Sequence, residues 1–247
     1  MLVNVGGQGG TTADIRVVAV MSMPRLSFTA NHLAWLKALM PLGIEPQIYT
    51  GAFWDQCLSR GFASAIKGAE YILALDYDSF ILREDVEQLF TMALAFQCDA
   101  LAPIQTKRED GRPMITPLGT FEGPDRGKEI ELNGEWLGQA VQEVDAAHFG
   151  CTIISCAALK RMRKPWLHSK PNDDGDWEDG RIDPDMWFWQ QWRKSGNRVY
   201  MTPRVVIGHG EYHITWPGAD LKSPVYQHCT DFTTHGRKPG NVWKVKA

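Results

Sequence analysis

Residues 71–82 read YILALDYDSFIL, an apolar run from Ile72 to Leu75 broken at its end by Asp76 and Asp78. A short apolar run bounded by polar residues reads as a buried strand leaving the core. In an extended segment residues i and i+2 project to the same side. Asp76 and Asp78 are therefore expected to converge on one point at a solvent-facing strand end, with Tyr77 turned away. Two carboxylates held that close repel each other unless a cation lies between them or one is protonated. A solvated turn with an Asx bond is the other reading of an isolated D-x-D, so the flanking sequence has to decide.

Outward from this run, strands alternate with helices. IRVVAVMSM (15–23) reads as a first buried strand ending before Pro24. A helix follows with Ser27 as N-cap, Leu33, Leu36, Leu39 and Met40 at helical spacing, and Gly43 as its stop. EPQIYT is a second strand, FWDQCLSRGFASAIKGA a second helix, and EDVEQLFTMALAFQ a third helix that opens with acids at its positive end. DALAPIQ is a fourth strand. This βαβαβαβ order predicts an α/β fold with a mostly parallel central sheet flanked by helices, and ligands at the carboxyl ends of its strands. Asp76 and Asp78 lie at that edge, which favours function over a plain turn.

Beyond residue 105 the pattern is less regular. EIELNGEWL predicts a hairpin around Asn133-Gly134, AHFGCTIIS (147–155) a strand and AALKRMRKPW a short helix. Residues 168–182 are acidic and predicted to form a mobile loop. DPDMWFWQQWRKSG predicts a helix with Asp183 as N-cap, Pro184 at its first position and Gly196 beyond its end. RVYMTPRVVIGHG supplies a last strand ending at His209. One domain over 1–247 is expected: a flexible arm (1–14), a first half (15–104), and a second half with a smaller antiparallel part (105–247).

Composition bounds the function. The chain has 247 residues, a net charge of −3 and 44% hydrophobic residues, values of an ordinary globular protein without a global nucleic-acid signature. Neither a bilayer-spanning run nor a signal peptide is legible. Five cysteines without metal-site spacing are expected to be buried thiols in a reducing cytoplasm. The basic strip Lys160-Arg161-Arg163-Lys164 reads as a solvated helix end.

Taken in order, LALDYDS, HFGCTIIS, KPW, DPDMWFWQQWRKSGNRVY and VVIGH resemble the GT-A fold glycosyltransferases, close to the small family-2-like enzymes, over roughly residues 15–215. The resemblance implies a nucleoside-diphosphate sugar donor, a UDP-sugar first of all, and a Mn²⁺ or Mg²⁺ ion to neutralise the departing diphosphate. It implies Asp78 as the direct metal ligand, Asp76 acting through ribose or water, and His209 as a third ligand that favours Mn²⁺. His209 also fits a core histidine bonded to a carbonyl. Pro24, Arg25, Arg60, Asp76 and Tyr77 are the donor-side residues, although Arg25 and Arg60 also fit surface arginines. His148, Trp187 and Trp216 are the acceptor-side ones.

An acceptor hydroxyl must lose a proton, so a carboxylate is needed as base. The family pattern is Glu-Asp where this chain has D-P-D, which leaves the base open between Asp185 and Asp183. The helix N-terminus favours the charged carboxylate, so Asp185 is expected to act by orientation rather than by a raised pKa. The acceptor is by default a glycan precursor, with a hydroxymethylated pyrimidine in DNA as the other option. The rival readings are a nucleotidyltransferase, opposed by the absence of a glycine-rich first loop in VMSMPRLSF, and a non-catalytic sugar- or nucleotide-binding module.

Overall fold

The computed structural model describes residues 1–5, 11–23, 27–107, 113–121 and 134–243. The chain opens with β1 (Leu2–Val5) and β2 (Thr11–Asp14), which pair antiparallel. The arm expected over 1–14 is thus a hairpin in its described part, while the glycine tract 6–10 lies outside the described residues. Next come β3 (Val17–Met23), α1 (Thr29–Leu39), β4 (Pro46–Thr50), α2 (Trp54–Ala65), β5 (Tyr71–Asp76), β6 (Ser79–Phe80), α3 (Arg83–Ala95) and β7 (Ala100–Ile104). The second half adds β8 (Ile115–Pro117), α4 (Gly134–Gly138), β9 (Gln142–Ala147), β10 (Cys151–Ser155), α5 (Cys156–Arg161) and α6 (Pro184–Lys194). It closes with β11 (Val199–Val206), β12 (Gly208–His209), β13 (His213–Pro217), β14 (Pro224–His228) and α7 (Cys229–His235).

Eight strands form one sheet in the order β4-β3-β5-β10-β7-β11-β9-β8. Six run one way, and β10 and β9 run against them, so the sheet is mixed with one dominant direction. The architecture is α/β, a large central sheet flanked by helices, as the element order predicts. A smaller antiparallel pair, β13 with β14, follows the sheet.

The pleat sorts the core. Along β5, Ile72 and Ala74 pack with Val20, Phe62, Phe188 and Trp189 on the α2–α6 face, whereas Leu73 and Leu75 pack with Met21, Trp35 and Phe90 on the α1–α3 face. Each such side chain taken from water stabilises the fold by roughly 1.5–3 kcal/mol. Because the period is two, Asp76 continues the Ile72–Ala74 row and emerges on the α2–α6 side. The strand alternation thereby fixes which helices the first carboxylate meets.

Several local expectations are corrected. Helix α1 starts one residue after Phe28, without a side-chain cap from Ser27, and its buried stripe is Asn31, Trp35, Ala38 and Leu39. Leu33 and Met40 are 50% and 55% exposed. Packing of the large Trp35 ring, rather than the leucine spacing, sets the rotation of the helix. Gly43 does end this segment, with φ +69. The AHFGCTIIS stretch is not one strand: the chain turns at residues 148–150, so β9 pairs with β11 and β10 lies between β5 and β7. Of the hairpin expected at Asn133-Gly134, the first arm lies outside the described residues. The second arm is helical, with Trp136 buried against the core. Burying the indole outweighs the turn propensity of the dipeptide.

Candidate functional site

Strand β5 ends at Asp76, and Tyr77 and Asp78 form a turn before β6. The two carboxylates are therefore not consecutive same-side residues of one strand, as expected, and they find different partners. Asp76 Oδ1 accepts a 2.7 Å hydrogen bond from Trp54 Nε1 at the start of α2. Its pKa is pushed up to about 6, chiefly by burial, with the Asp78 charge adding to the rise and the Trp54 bond opposing it. Asp78 is only 2% exposed, so this edge faces inward rather than to solvent. Its Oδ2 stands 3.5 Å from His209 Nε2.

His209 reaches Asp78 because β12 pairs antiparallel with β6, Ser79 opposite His209 and Phe80 opposite Gly208. The Gly210 N–H donates to the Asp78 carbonyl at 2.5 Å, and a side chain at Gly210 would collide with the Phe80 ring. His209 Nδ1 lies 2.8 Å from the Thr106 carbonyl. A carbonyl only accepts, so Nδ1 carries a proton and donates to it, while Nε2 is the ring atom that faces the carboxylate. A carboxylate oxygen and a ring nitrogen at this spacing form an ion pair when the ring is doubly protonated, and serve as neighbouring ligands of one cation when Nε2 is not. Donation of the second ring nitrogen to a carbonyl is also the usual support of a metal-bound histidine.

Among the described residues, no group of three or more His, Cys, Asp or Glu side chains is arranged to hold a metal ion. The expected trio of Asp76, Asp78 and His209 is thus not a closed cage: Asp78 and His209 face each other while Asp76 is bonded to Trp54. A hard divalent cation that keeps waters and takes phosphate oxygens needs only one or two protein carboxylates, so the donor set fits one.

The second carboxylate pair opens α6. Asp183 stands at the N-cap position with extended backbone, yet its side chain caps nothing. It pairs instead with Arg181 at 3.0 Å on the surface. Asp185 is partly buried and accepts from the Met186 N–H at 2.8 Å. Its pKa is raised, because burial outweighs the backbone N–H bond, and the Asp183 charge adds to the effect. The expectation of an unraised pKa is corrected: desolvation dominates the helix terminus here. The charge of Asp185 in turn raises the pKa of Asp76, so the two carboxylates share one electrostatic neighbourhood. Trp187, one turn into the helix, donates to the Pro165 carbonyl at 3.3 Å and meets His168 edge-on.

The remaining expected residues separate. Arg60 Nη2 donates to the Thr50 carbonyl at 2.7 Å, at the carboxyl end of β4. Pro24 and Arg25 lie outside the described residues. Tyr77 stacks near Phe28, which contacts Tyr212, forming an aromatic row beside the carboxylates. His148 is buried, its Nε2 donates to the Pro103 carbonyl, and its Nδ1 accepts from the Gly150 N–H. Burial pushes its pKa down to about 4, so it is a neutral brace for the 148–150 turn. Trp216 sits in the β13–β14 hairpin with Gln227, Phe232 and Lys238 around its ring, and belongs to that hairpin's own packing.

A cavity of about 820 Å³ adjoins α6 between β8 and residues 172–182, lined among others by Thr116, Phe121, Asp173, Asp179, Met186 and Gln190. That acidic loop has no strand or helix but is organised by Asn172. Its Oδ1 accepts from the Asp174 and Asp176 N–H groups, and its Nδ2 donates to the Asp179 carbonyl. A single bridge between Lys170 and Ile182 closes its base. The sequence reading missed Trp54 and Gln105. Only the latter left a trace, as an amide that ends the buried run ALAPI at the same sheet edge.

No protein-family model matches the sequence, and no curated protein is significantly similar to it. Among solved structures, GalNAc-T7 with UDP, GalNAc and Mn²⁺ aligns with a TM-score of 0.49 at 12% identity, over 79% of this chain and 44% of that one. A197 from STIV aligns with a TM-score of 0.50 at 14% identity, over 81% of this chain and 96% of that one, a likeness of fold.

Proposed function

We propose that the protein is a metal-dependent glycosyltransferase that moves a sugar from a nucleoside-diphosphate sugar to a hydroxyl acceptor. The observation that carries this reading is the facing of Asp78 and His209 at 3.5 Å at the carboxyl edge of the sheet, beside Asp76. Asp78 and His209 would hold a divalent cation, with Mn²⁺ favoured over Mg²⁺ by the imidazole. When bound, it would supply the positive charge that a departing diphosphate needs. Asp76 is held at its position by Trp54, where ribose or a water would meet it. Asp185 takes the acceptor proton, and its raised proton affinity suits that role better than an ordinary aspartate would. A base opposite the leaving group supports direct displacement with inversion. The cavity beside α6 is the acceptor side in this reading, lined by Asp173, Asp174 and Asp179 together with Lys107 and Arg181, with a glycan precursor as the default acceptor.

Calorimetry with UDP, GDP and CMP, with and without Mn²⁺, on the wild type and Asp78→Asn tests the reading. Metal-dependent nucleotide binding that the substitution removes is the expected result. Unchanged binding in Asp78→Asn overturns the metal assignment. Tight binding of a nucleotide sugar without hydrolysis or transfer to any acceptor identifies a binding module instead.

A further inference from the structure

We propose that Gln105 is the positioning residue that sets the geometry of the cation-holding edge, an inference that rests on the metal-dependent reading and deepens it. Gln105 follows β7 and is buried. Its Nε2 donates to Ser79 Oγ at 2.9 Å and to the Gly208 carbonyl at 3.3 Å. Ser79 is the neighbour of Asp78, and Gly208 the neighbour of His209. Because the Gly208 oxygen only accepts, it fixes which end of the amide points toward it. The other end, Oε1, closes on Gly150: a Cβ at that glycine would collide with Oε1 and with the Ser79 hydroxyl. The Gly150 carbonyl in turn accepts from the Asp76 N–H at 3.4 Å. The next residue, Thr106, supplies the carbonyl that orients the His209 ring.

One side chain therefore braces the chain neighbours of Asp78 and His209 and the glycine bonded to Asp76. The backbone link between the segments is short: the Gly210 N–H bond to the Asp78 carbonyl and a two-pair ladder. β6 and β12 share two residue pairs, Gly208 with Phe80 and His209 with Ser79. Register in so short a ladder is poorly specified, and a one-residue slip would turn His209 to the opposite face. Asn31 adds a second brace from α1, its Nδ2 donating to the Ser79 carbonyl. That bond holds β6 alone, whereas the Gln105 amide reaches both β6, through Ser79, and β12, through Gly208.

The test is a Mn²⁺ titration of the full chain in the presence of UDP, followed by loss of the free-ion electron paramagnetic resonance signal. Thermal unfolding is run on every variant. Gln105→Met keeps the length of the side chain and removes the amide; it is expected to weaken Mn²⁺ binding about 10- to 100-fold, the usual scale for lost outer-shell support of a metal ligand. Excess Mn²⁺ is expected to restore turnover in this variant, which general destabilisation would not allow. Gly150→Ala, pressing on the same amide from the other side, is expected to weaken binding in the same way, and it carries the test if Gln105→Met does not fold. A wild type that binds no Mn²⁺ brings down the metal reading and this inference with it. Wild-type binding with both variants at wild-type affinity overturns the role of Gln105 alone.

Discussion

Of the three D-x-D stretches in the chain, Asp76-Tyr77-Asp78 and Asp183-Pro184-Asp185 carry the candidate site carboxylates, and these two fold in opposite ways. At the end of β5 both carboxylates turn inward, one to Trp54 and the other to His209. At the start of α6 only Asp185 does so, while Asp183 stays on the surface with Arg181. The difference lies in the backbone. A strand and turn followed by a cross-strand partner enclose both acids, whereas Pro184 begins a helix, and a helix rotates the next residue about 100° from its predecessor. Spelling shows where carboxylates lie along the chain; the element decides which of them meet.

The largest effect should come from the first copy. Asp78→Asn is expected to abolish transfer together with Mn²⁺-dependent nucleotide binding, measured by calorimetry, because His209 alone cannot hold a hard cation. Retained folding, checked by circular dichroism, separates this from collapse of the buried edge.

Asp185→Asn should lower the transfer rate by about 10² or more with donor affinity unchanged. It should also raise Tm near neutral pH. The folded-state pKa of Asp185 lies above its unfolded value, so its contribution to stability is present at low pH and lost as pH rises through the folded pKa. An amide carries no such loss and still accepts from Met186. The acidic limb of the wild-type pH–rate profile should accordingly sit above the ordinary aspartate range.

Trp54→Phe removes the indole N–H from Asp76 while keeping the packing against Phe149. A fall of about tenfold in kcat/KM is expected from this lost outer-shell bond, expressed in the donor KM more than in Tm.

The smallest change belongs to Asp183→Asn. Its exposed pair with Arg181 is worth about 0–1 kcal/mol, so chemical denaturation and turnover should both stay near wild type. An inactive Asp183→Asn beside an active Asp185→Asn would reverse the comparison and move the base two residues earlier.

Much of the fold was legible because its signals are local. The Ile72–Leu75 run, the Asp-Pro opening of α6 and the glycine stops at Gly43 and Gly196 each act within a few residues. The alternation of strands with helices over the first half then left few topologies. The site was legible only in its carboxylates. Its braces were hidden because each is a contact across sequence: Trp54 to Asp76, Gln105 to Ser79 and Gly208, Thr106 to His209. At His148 and Trp216 the same holds in reverse. A buried imidazole and a packed indole have the composition of a binding site, and their hydrogen bonds to the Pro103 carbonyl and to Gln227 are contacts that the spelling does not reveal.

The pairing of β6 with β12 also bears on when the site comes into being. Its two strands lie at residues 79–80 and 208–209, so the ladder closes a loop that spans more than half of the chain. Contacts of such long separation are made late, since the entropy of loop closure must be overcome before they give any return. During synthesis the β3–α1–β4–α2–β5 unit emerges first and can begin to order with Asp76 and Asp78 already in place. In the proposed reading, cation capture must wait until His209 has left the ribosome. A nascent chain halted before residue 208 would carry the carboxylates without their imidazole, and in refolding the recovery of Mn²⁺ binding should lag behind the recovery of sheet structure.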